Sequence, residues 1–391
     1  MKTDSPVPSQ APPKRRILRT ALLSLPMLML TLFFLTGGRL PSEPVRLAAL
    51  AITYLFLNTL FILMIHTGKT DRYRAAFFIP YALLFSVSFI TNMIETRGSI
   101  SINKEEILEC RTPFCHIVIP QTVIPLALSR TIVFPGTLTK FHASVASMLV
   151  IWLVASLALG RGWCSWACFF GGWDDGFSRL LRKARLKISD ARWRLASFAV
   201  LLVVALWAAA ALEPTYCAWL CPFKTVSEFE SVISFKILVQ TGIFLSLFAG
   251  LVVALPILSK RRVQCATFCP FGAFQSFTNK VNVFEVRVDP DRCKRCKLCF
   301  KACPTLSLDE TVLEGKGVRM TCVKCGKCVD TCPRGALYFH AKGTPLDRTA
   351  QGGRVLFLYA AFLFAAIFAG DTMQSGILRI LNLVTTGRFG G

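Results

Sequence analysis

Cys293-Lys294-Arg295-Cys296-Lys297-Leu298-Cys299-Phe300-Lys301-Ala302-Cys303-Pro304 is the stretch that decides how this chain is read. Its spacing is C-x2-C-x2-C-x3-C-P, and Cys322, Cys325, Cys328, Cys332 and Pro333 repeat it. Three cysteines this close wrap three irons of a four-iron cluster. In two-cluster bacterial ferredoxins the fourth cysteine of each run ligates the other cluster. One [4Fe-4S] cluster therefore takes Cys293, Cys296, Cys299 and Cys332, and the second takes Cys322, Cys325, Cys328 and Cys303. Gly326 relieves crowding in the second loop, where the first carries Lys297. A zinc module needs C-x2-C pairs and four ligands, with no repeated triple spacing closed by Cys-Pro. Iron is the better reading.

Outward from this polar, Cys-rich segment the chain changes character. Of 391 residues, 53% are hydrophobic and only 17% charged. A soluble chain of this size carries more charge, so the bias points to membrane spans. A span needs about 20 apolar residues, and such runs fall at 17–36, 47–66, 75–94, 142–160, 195–212, 236–258 and 354–370. In the last region an amphipathic surface helix over Ile377–Leu383 is the alternative to a seventh span. The net charge of +23 would suggest nucleic acid on a soluble protein. Here the basic residues flank apolar runs instead: 161–194 holds eight Lys/Arg against three Asp. By the positive-inside rule the loops 67–74 and 161–194 and the ferredoxin segment are cytoplasmic. The expected fold is mainly α, a polytopic helical membrane protein of about seven spans with an inserted α+β, two-cluster ferredoxin-like domain. Its divisions are a tail at 1–13, a helical region at 14–283, the ferredoxin-like unit at 284–345, and the last span with its tail at 346–391.

Secreted disulfide scaffolds are short and polar, and this chain is neither. Fourteen of its sixteen cysteines sit in C-x2-C or C-x3-C spacings, Cys110 and Cys115 being the exceptions. Three C-x3-C pairs flank the spans: Cys164/Cys168, Cys217/Cys221 and Cys265/Cys269. Residues i and i+4 share a helix face, so each pair presents two sulfurs together as metal ligands or a redox couple. The first and third pairs follow the fourth and sixth spans to the inner face, where four thiols suffice for one more cluster. The second pair follows the fifth span to the outer face, with Cys110 and Cys115. There a disulfide, Cys110–Cys115 above all, stands beside a metal or cluster. Buried free cysteine is the bland alternative throughout.

His116 and His142 near the outer face are candidates for haem ligation, although polar interfacial histidines are the plainer reading, and no C-x-x-C-H occurs. Glu95, Asp174, Asp175 and Glu213 beside spans are candidate proton relays for a quinone, or simply solvated boundary carboxylates. Trp163, Trp166, Trp173 and Trp219 fit an interfacial belt. Lys294, Arg295, Lys297, Lys301, Lys324 and Lys327 crowd the cluster loops, where they raise potential and steer an acidic carrier, or form an ordinary solvated face.

Spans, C-x3-C pairs and a tandem ferredoxin segment together resemble the membrane-bound polyferredoxins of the NapH/MauN type, related to the core of NosR and CcoG. Arg161 through Cys168 and Arg261 through Phe274 carry the resemblance, with Phe169 where the family usually has proline. The pair Cys217/Cys221 and the N-terminal spans exceed its minimal pattern. The resemblance implies an electron-transfer subunit, a quinol dehydrogenase-type oxidoreductase component without acid–base catalytic residues, in a bacterial inner membrane. It exchanges electrons between quinone and a protein redox partner. Copper handling of the CcoG kind and redox sensing are the other functions considered.

Overall fold

The computed structural model describes residues 13–97, 115–130, 145–188, 190–226, 234–314, 317–344 and 352–387. Among these, seven helices are long and apolar enough to cross a membrane: Arg16–Thr36, Pro44–Thr67, Asp71–Thr91, Met148–Trp166, Arg192–Ala211, Phe235–Ser259 and Gly352–Thr386. The chain is thus a helical multi-pass membrane protein, as its apolar runs require. Local chemistry sets the helix ends. Pro44 occupies the first helical turn, where its missing N–H costs nothing. Gly68 ends the same helix in the left-handed region (φ 77°) and donates its N–H to Met64 O.

The seventh span differs from expectation. Residues 354–370 and 377–383 are parts of one helix, Gly352–Thr386, of 35 residues. At 1.5 Å per residue it is about 50 Å long, against ~30 Å of hydrocarbon. Its excess length supports the ferredoxin-like unit. That unit contains strands β1 (Phe284–Val288) and β2 (Leu337–Ala341), paired antiparallel with Val286 opposite Phe339. Phe339 stacks on Phe357 of the seventh span at 4.7 Å, and Phe284 meets the same ring edge-on at 5.6 Å. A two-stranded sheet is marginal alone. Here the span supplies its second layer.

The loops expected on one side of the membrane do gather at one end, around the ferredoxin-like unit. Arg194, in the first turn of the fifth span, pairs with Asp309 at 3.1 Å. Arg261, after the sixth span, donates to the carbonyls of Phe300 and Cys303. Between the second and third spans, the Asp330 carboxylate accepts the backbone N–H groups of Thr70 (2.9 Å) and Asp71 (2.8 Å). Hydrogen bonds to a charged group are worth about 1.5–3 kcal/mol. Asp330→Ala is therefore expected to loosen this dock by that amount, seen as faster amide hydrogen exchange at Thr70 and Asp71. Unchanged exchange would mean that the apolar contacts alone hold the unit.

Candidate iron–sulfur centres

The two ferredoxin loops are built alike. Arg295 and Lys297 in the first, and Lys324 and Gly326 at the corresponding positions of the second, all have left-handed backbones (φ 50°, 56°, 50° and 82°). These reversals turn each loop back on itself so that three sulfurs face one centre. Lysine pays a steric penalty for this geometry in the first loop, which faces solvent. At Gly326 no side chain fits at all, because a Cβ would stand 2.8 Å from Thr70 Cβ.

The four cysteines expected around the second cluster, Cys303, Cys322, Cys325 and Cys328, line one cavity. On the other side, Cys299 lies within electrostatic reach of Cys332 and Cys293, and burial together with these neighbours pushes its thiol up to about 11. Backbone N–H groups already aim at the sulfurs: Ser307 at Cys303 (3.2 Å), Ala336 at Cys332 (3.3 Å) and Lys324 at Cys322 (3.4 Å). Burial pushes Cys325 up to about 12. Gathering several such groups as thiolates requires a positively charged centre between them. Among the described residues no three His, Cys, Asp or Glu side chains converge tightly enough for a single metal ion. Cysteines around a four-iron cube stand farther apart than those around one ion. The donor set fits a cluster.

Cys164, Cys168, Cys265 and Cys269 also come together, lining a second cavity with Asp174, Gln264, Phe223 and Phe271. The two pairs are built with approximate two-fold symmetry, on a repeated pattern R-x2-C-x3-C-x2-G (Arg161 to Gly171, Arg262 to Gly272). Each arginine crosses to the opposite pair. Arg161 donates to Cys265 O (3.0 Å) and Ser276 Oγ (2.6 Å). Arg262 donates to Cys164 O (2.6 Å) and Ser165 Oγ (2.7 Å). Gly171 and Gly272 leave room for these crossings, since a Cβ at Gly171 would stand 2.5 Å from Arg262 Nη2. Cys164 and Cys265 are hydrogen-bonded to each other. That bond, with Arg262 and Arg161, holds the Cys265 thiol down to about 5 against its burial. Burial instead pushes Cys269 up to about 12, so the four thiols become thiolates together only around a positively charged centre.

The second cysteine of each pair has the same extended backbone: φ/ψ −79°/104° at Cys168, −78°/107° at Cys221 and −74°/117° at Cys269. Cys303 and Cys332 of the ferredoxin loops match them, at −66°/115° and −71°/115°. Proline at the next position enforces this conformation, and Cys168 adopts it although Phe169 follows.

The sequence put Cys217/Cys221 at the far face; the structure moves them inward. After the fifth span the chain turns back, and Thr215 Oγ1 donates to Val204 O in the middle of that helix. Tyr216 then receives a hydrogen bond from Gln264, the neighbour of Cys265 (3.0 Å). Phe223 stacks on Phe170 at 4.2 Å and lines the inner cavity. Cys115 lies within electrostatic reach of Cys217, Cys221 and Cys168 and is a free thiol. Cys110 and His142 are outside the described residues.

Other sequence expectations change with burial. His116 is buried rather than interfacial, with Nε2 3.0 Å from Cys168 Sγ. Trp163 and Trp166 are buried rather than part of a belt, and Trp166 Nε1 donates to Lys324 O across the interface with the ferredoxin-like unit. Asp174 and Asp175 are not solvated. Asp174 Oδ2 accepts Cys265 N–H (2.9 Å), and burial raises its pKa. Asp175 accepts from Arg74 (3.0 Å) and Arg179 (2.9 Å). Burial alone would raise its pKa, but Arg74, Arg179 and Arg262 hold it below the usual range. Glu213 is exposed, and the side chain of Glu95 is outside the description. The basic residues divide: Lys294, Arg295, Lys297 and Lys301 are exposed around the first loop, whereas Lys324 is buried, its pKa drawn down to about 7 by desolvation. The crossing arginines had escaped notice, though the repeated Arg and Gly flanking both pairs were the available signal.

Comparison with known proteins agrees with this geometry. A 4Fe-4S dicluster domain model matches residues 285–333. A 4Fe-4S binding domain model matches three times, at 141–188, 193–239 and 241–287, one C-x3-C pair in each. The second pair is therefore a full copy of the unit rather than an addition to it. Escherichia coli (strain K12) YccM, named for electron transport, is 24% identical over 62% of this chain and 69% of its own length. The ferredoxin-type protein NapH of the same organism is 30% identical over 48% of this chain and 65% of its own. The uncharacterized protein MJ0750 of Methanocaldococcus jannaschii is 28% identical over 53% and 85%. No solved structure matches. The chain is a ferredoxin-type electron transport protein that carries [4Fe-4S] clusters, and it is similar to the membrane-bound polyferredoxins of the NapH type.

Proposed function

We propose that this protein carries electrons between the quinone pool and an acidic soluble redox protein, along a line of three cysteine-ligated centres. Cys293, Cys296, Cys299 and Cys332 hold the first, at the exposed basic end. Cys303, Cys322, Cys325 and Cys328 hold the second, and Cys164, Cys168, Cys265 and Cys269 hold the third, inside the helical region. Iron–sulfur clusters supply one-electron carriers at these positions. The observation that carries the proposal is the contact between the last two sets. Lys324, within the second ferredoxin loop, donates to Leu159 O in the fourth span (3.1 Å), and its carbonyl accepts from Trp166, two residues from Cys168.

The protein's own residues do the rest. Lys294, Arg295 and Lys301 attract an acidic carrier to the exposed loop, where Cys296 is the solvent-facing ligand. Arg161, Arg262 and the backbone N–H groups stabilise negative charge on the inner thiolates, which raises reduction potential. Burial among Phe170, Phe223 and Phe271 keeps water out. Outer-sphere transfer needs no general acid or base along this line. The Lys/Arg-rich loops around the ferredoxin-like unit support its lying on the cytoplasmic side of a bacterial inner membrane.

The test is reduction of the visible cluster absorbance by a ubiquinol or menaquinol analogue, in anaerobic protein reconstituted into lipid nanodiscs. Bleaching by quinol, or reoxidation of the dithionite-reduced protein by the quinone, is expected. Failure of both reactions would remove the quinone from the proposal.

A further inference from the structure

We infer that His116 is a positioning residue that raises the reduction potential of the inner four-cysteine centre, through a hydrogen bond from its Nε2 to Cys168 Sγ. This rests on the inner centre proposed above and gives it a tuning group. The two atoms stand 3.0 Å apart, and both side chains are buried. A thiolate accepts hydrogen bonds and has none to give, so the ring proton sits on Nε2. Hydrogen bonds to the sulfurs stabilise the more negative, reduced state of a cluster, and its potential rises with them.

The imidazole comes from outside the two-fold repeat that builds the site. Matches to the cluster-binding unit begin at residue 141, well after His116. Within the repeat the second cysteines are treated alike: the sulfurs of Cys168 and Cys269 receive the N–H groups of Gly171 and Gly272. His116 adds a side-chain donor to Cys168. Phe169 marks the same spot, for it stands where proline follows Cys221 and Cys269. Its ring meets the imidazole edge-on at 5.4 Å, Phe271 does likewise at 4.9 Å, and Trp163 lies at 5.9 Å. Proline has no aromatic ring to offer, so the departure from C-x3-C-P falls where a histidine is caged. The cage excludes water, and the low dielectric strengthens the hydrogen bond.

The backbone fixes the ring in place. His116 opens a single 3₁₀ turn, His116–Val118, whose Val118 N–H donates to Cys115 O (3.0 Å). Ile117, Val118 and Ile119 are buried after it, and Ile117 lines the inner cavity. Gln121 anchors the segment farther along, where its Oε1 accepts Tyr216 N–H (2.8 Å). The imidazole cannot swing away without uncovering apolar side chains. In operation one electron enters or leaves the inner centre while the proton stays on Nε2. No bond is made or broken. The hydrogen bond favours the electron at the inner centre over the neighbouring ferredoxin centre, which makes the inner centre the collecting point of the line.

The experiment is a potentiometric EPR titration of the anaerobically purified full-length protein, with iron counted on the same samples. At least about twelve irons per chain are expected in the unaltered protein, about four of them in the inner centre. His116→Phe should keep that iron and shift the inner centre about tenfold toward its oxidised form at a fixed poise, about 59 mV for one electron. His116→Gln places an amide N–H near the position of Nε2 and should restore most of the shift. The ferredoxin potentials should stay unchanged in both variants. An unshifted potential in His116→Phe would overturn the inference, as would an equal shift in the two variants. Loss of about four irons from both would also overturn it, by making the imidazole a ligand or a structural prop. Should His116→Phe fail to fold, the unaltered protein still decides. With isotopically labelled histidine, electron–nuclear double resonance of the reduced inner centre should show one weakly coupled nitrogen. No coupling, or the strong coupling of a directly bound nitrogen, overturns the inference. About eight irons in the unaltered protein would remove the inner centre and this role with it, whereas about twelve with an unshifted potential would leave the centre standing and remove only the role of His116.

Discussion

Replacing Arg262 by alanine is expected to destabilise the protein by roughly 3–5 kcal/mol and to lower its iron content by about four per chain. The guanidinium is fully buried. It donates to Ser165 Oγ, Cys164 O and Gly171 O (3.2 Å), and it lies over the Phe78 ring at 5.7 Å. It also faces Asp174 and Asp175, so its removal strips compensation from buried carboxylate as well as three hydrogen bonds. Each acceptor left unsatisfied costs about 1–3 kcal/mol, and a buried charge without its partner costs more. Lysine should not rescue, because one ammonium cannot span the fork between two carbonyls and a hydroxyl. Arg161→Ala is expected to be milder, since Arg161 donates to Cys265 O and Ser276 Oγ with no carboxylate in the pair. Thermal unfolding in detergent, with iron analysis on the same samples, checks both. An Arg262→Ala protein with full iron and unchanged Tm would show that the two pairs are held together by other means.

The second large effect concerns the order of the ferredoxin centres. Cys303 belongs to the first sequence run, yet it lines the cavity with Cys322, Cys325 and Cys328, against the membrane region. Cys303→Ser is therefore expected to remove the centre nearest the spans and to cut quinol-dependent reduction of the remaining ferredoxin cluster to background. Cys332→Ser removes the exposed centre instead. Quinol should still reduce what is left, while electron exchange with a soluble acidic carrier is lost. EPR of each variant, after quinol and after dithionite, separates the two outcomes. Equal defects in both variants would mean that the centres do not act in series.

The spans and the ferredoxin-like unit were legible in the sequence for a shared reason: each depends on residues close together along the chain. About 20 apolar residues form a span wherever they occur. C-x2-C-x2-C closes a loop around three irons of a cluster without help from distant residues. Even the grouping of basic loops at one end of the molecule follows from local charge. The division of the last region did not emerge, because Ile377–Leu383 viewed alone is amphipathic. Only the contact with β1 and β2 gives one long helix a role beyond the bilayer.

What tertiary structure alone decided is how the scattered cysteines meet. Ninety-seven residues separate Arg262 from Ser165, and no local pattern announces that their side chains touch. Hydropathy sends the fifth span across the membrane and its cysteines with it. The return of Thr215 to Val204 is a hydrogen bond between non-neighbours, bought by burying Tyr216, Phe223 and Cys221 against the inner site. Trp163 and Trp166 have the composition of an interfacial belt but the neighbours of a core. Periodicity and spacing report what a segment is able to form, whereas depth, proximity and burial are set by which segments pack together.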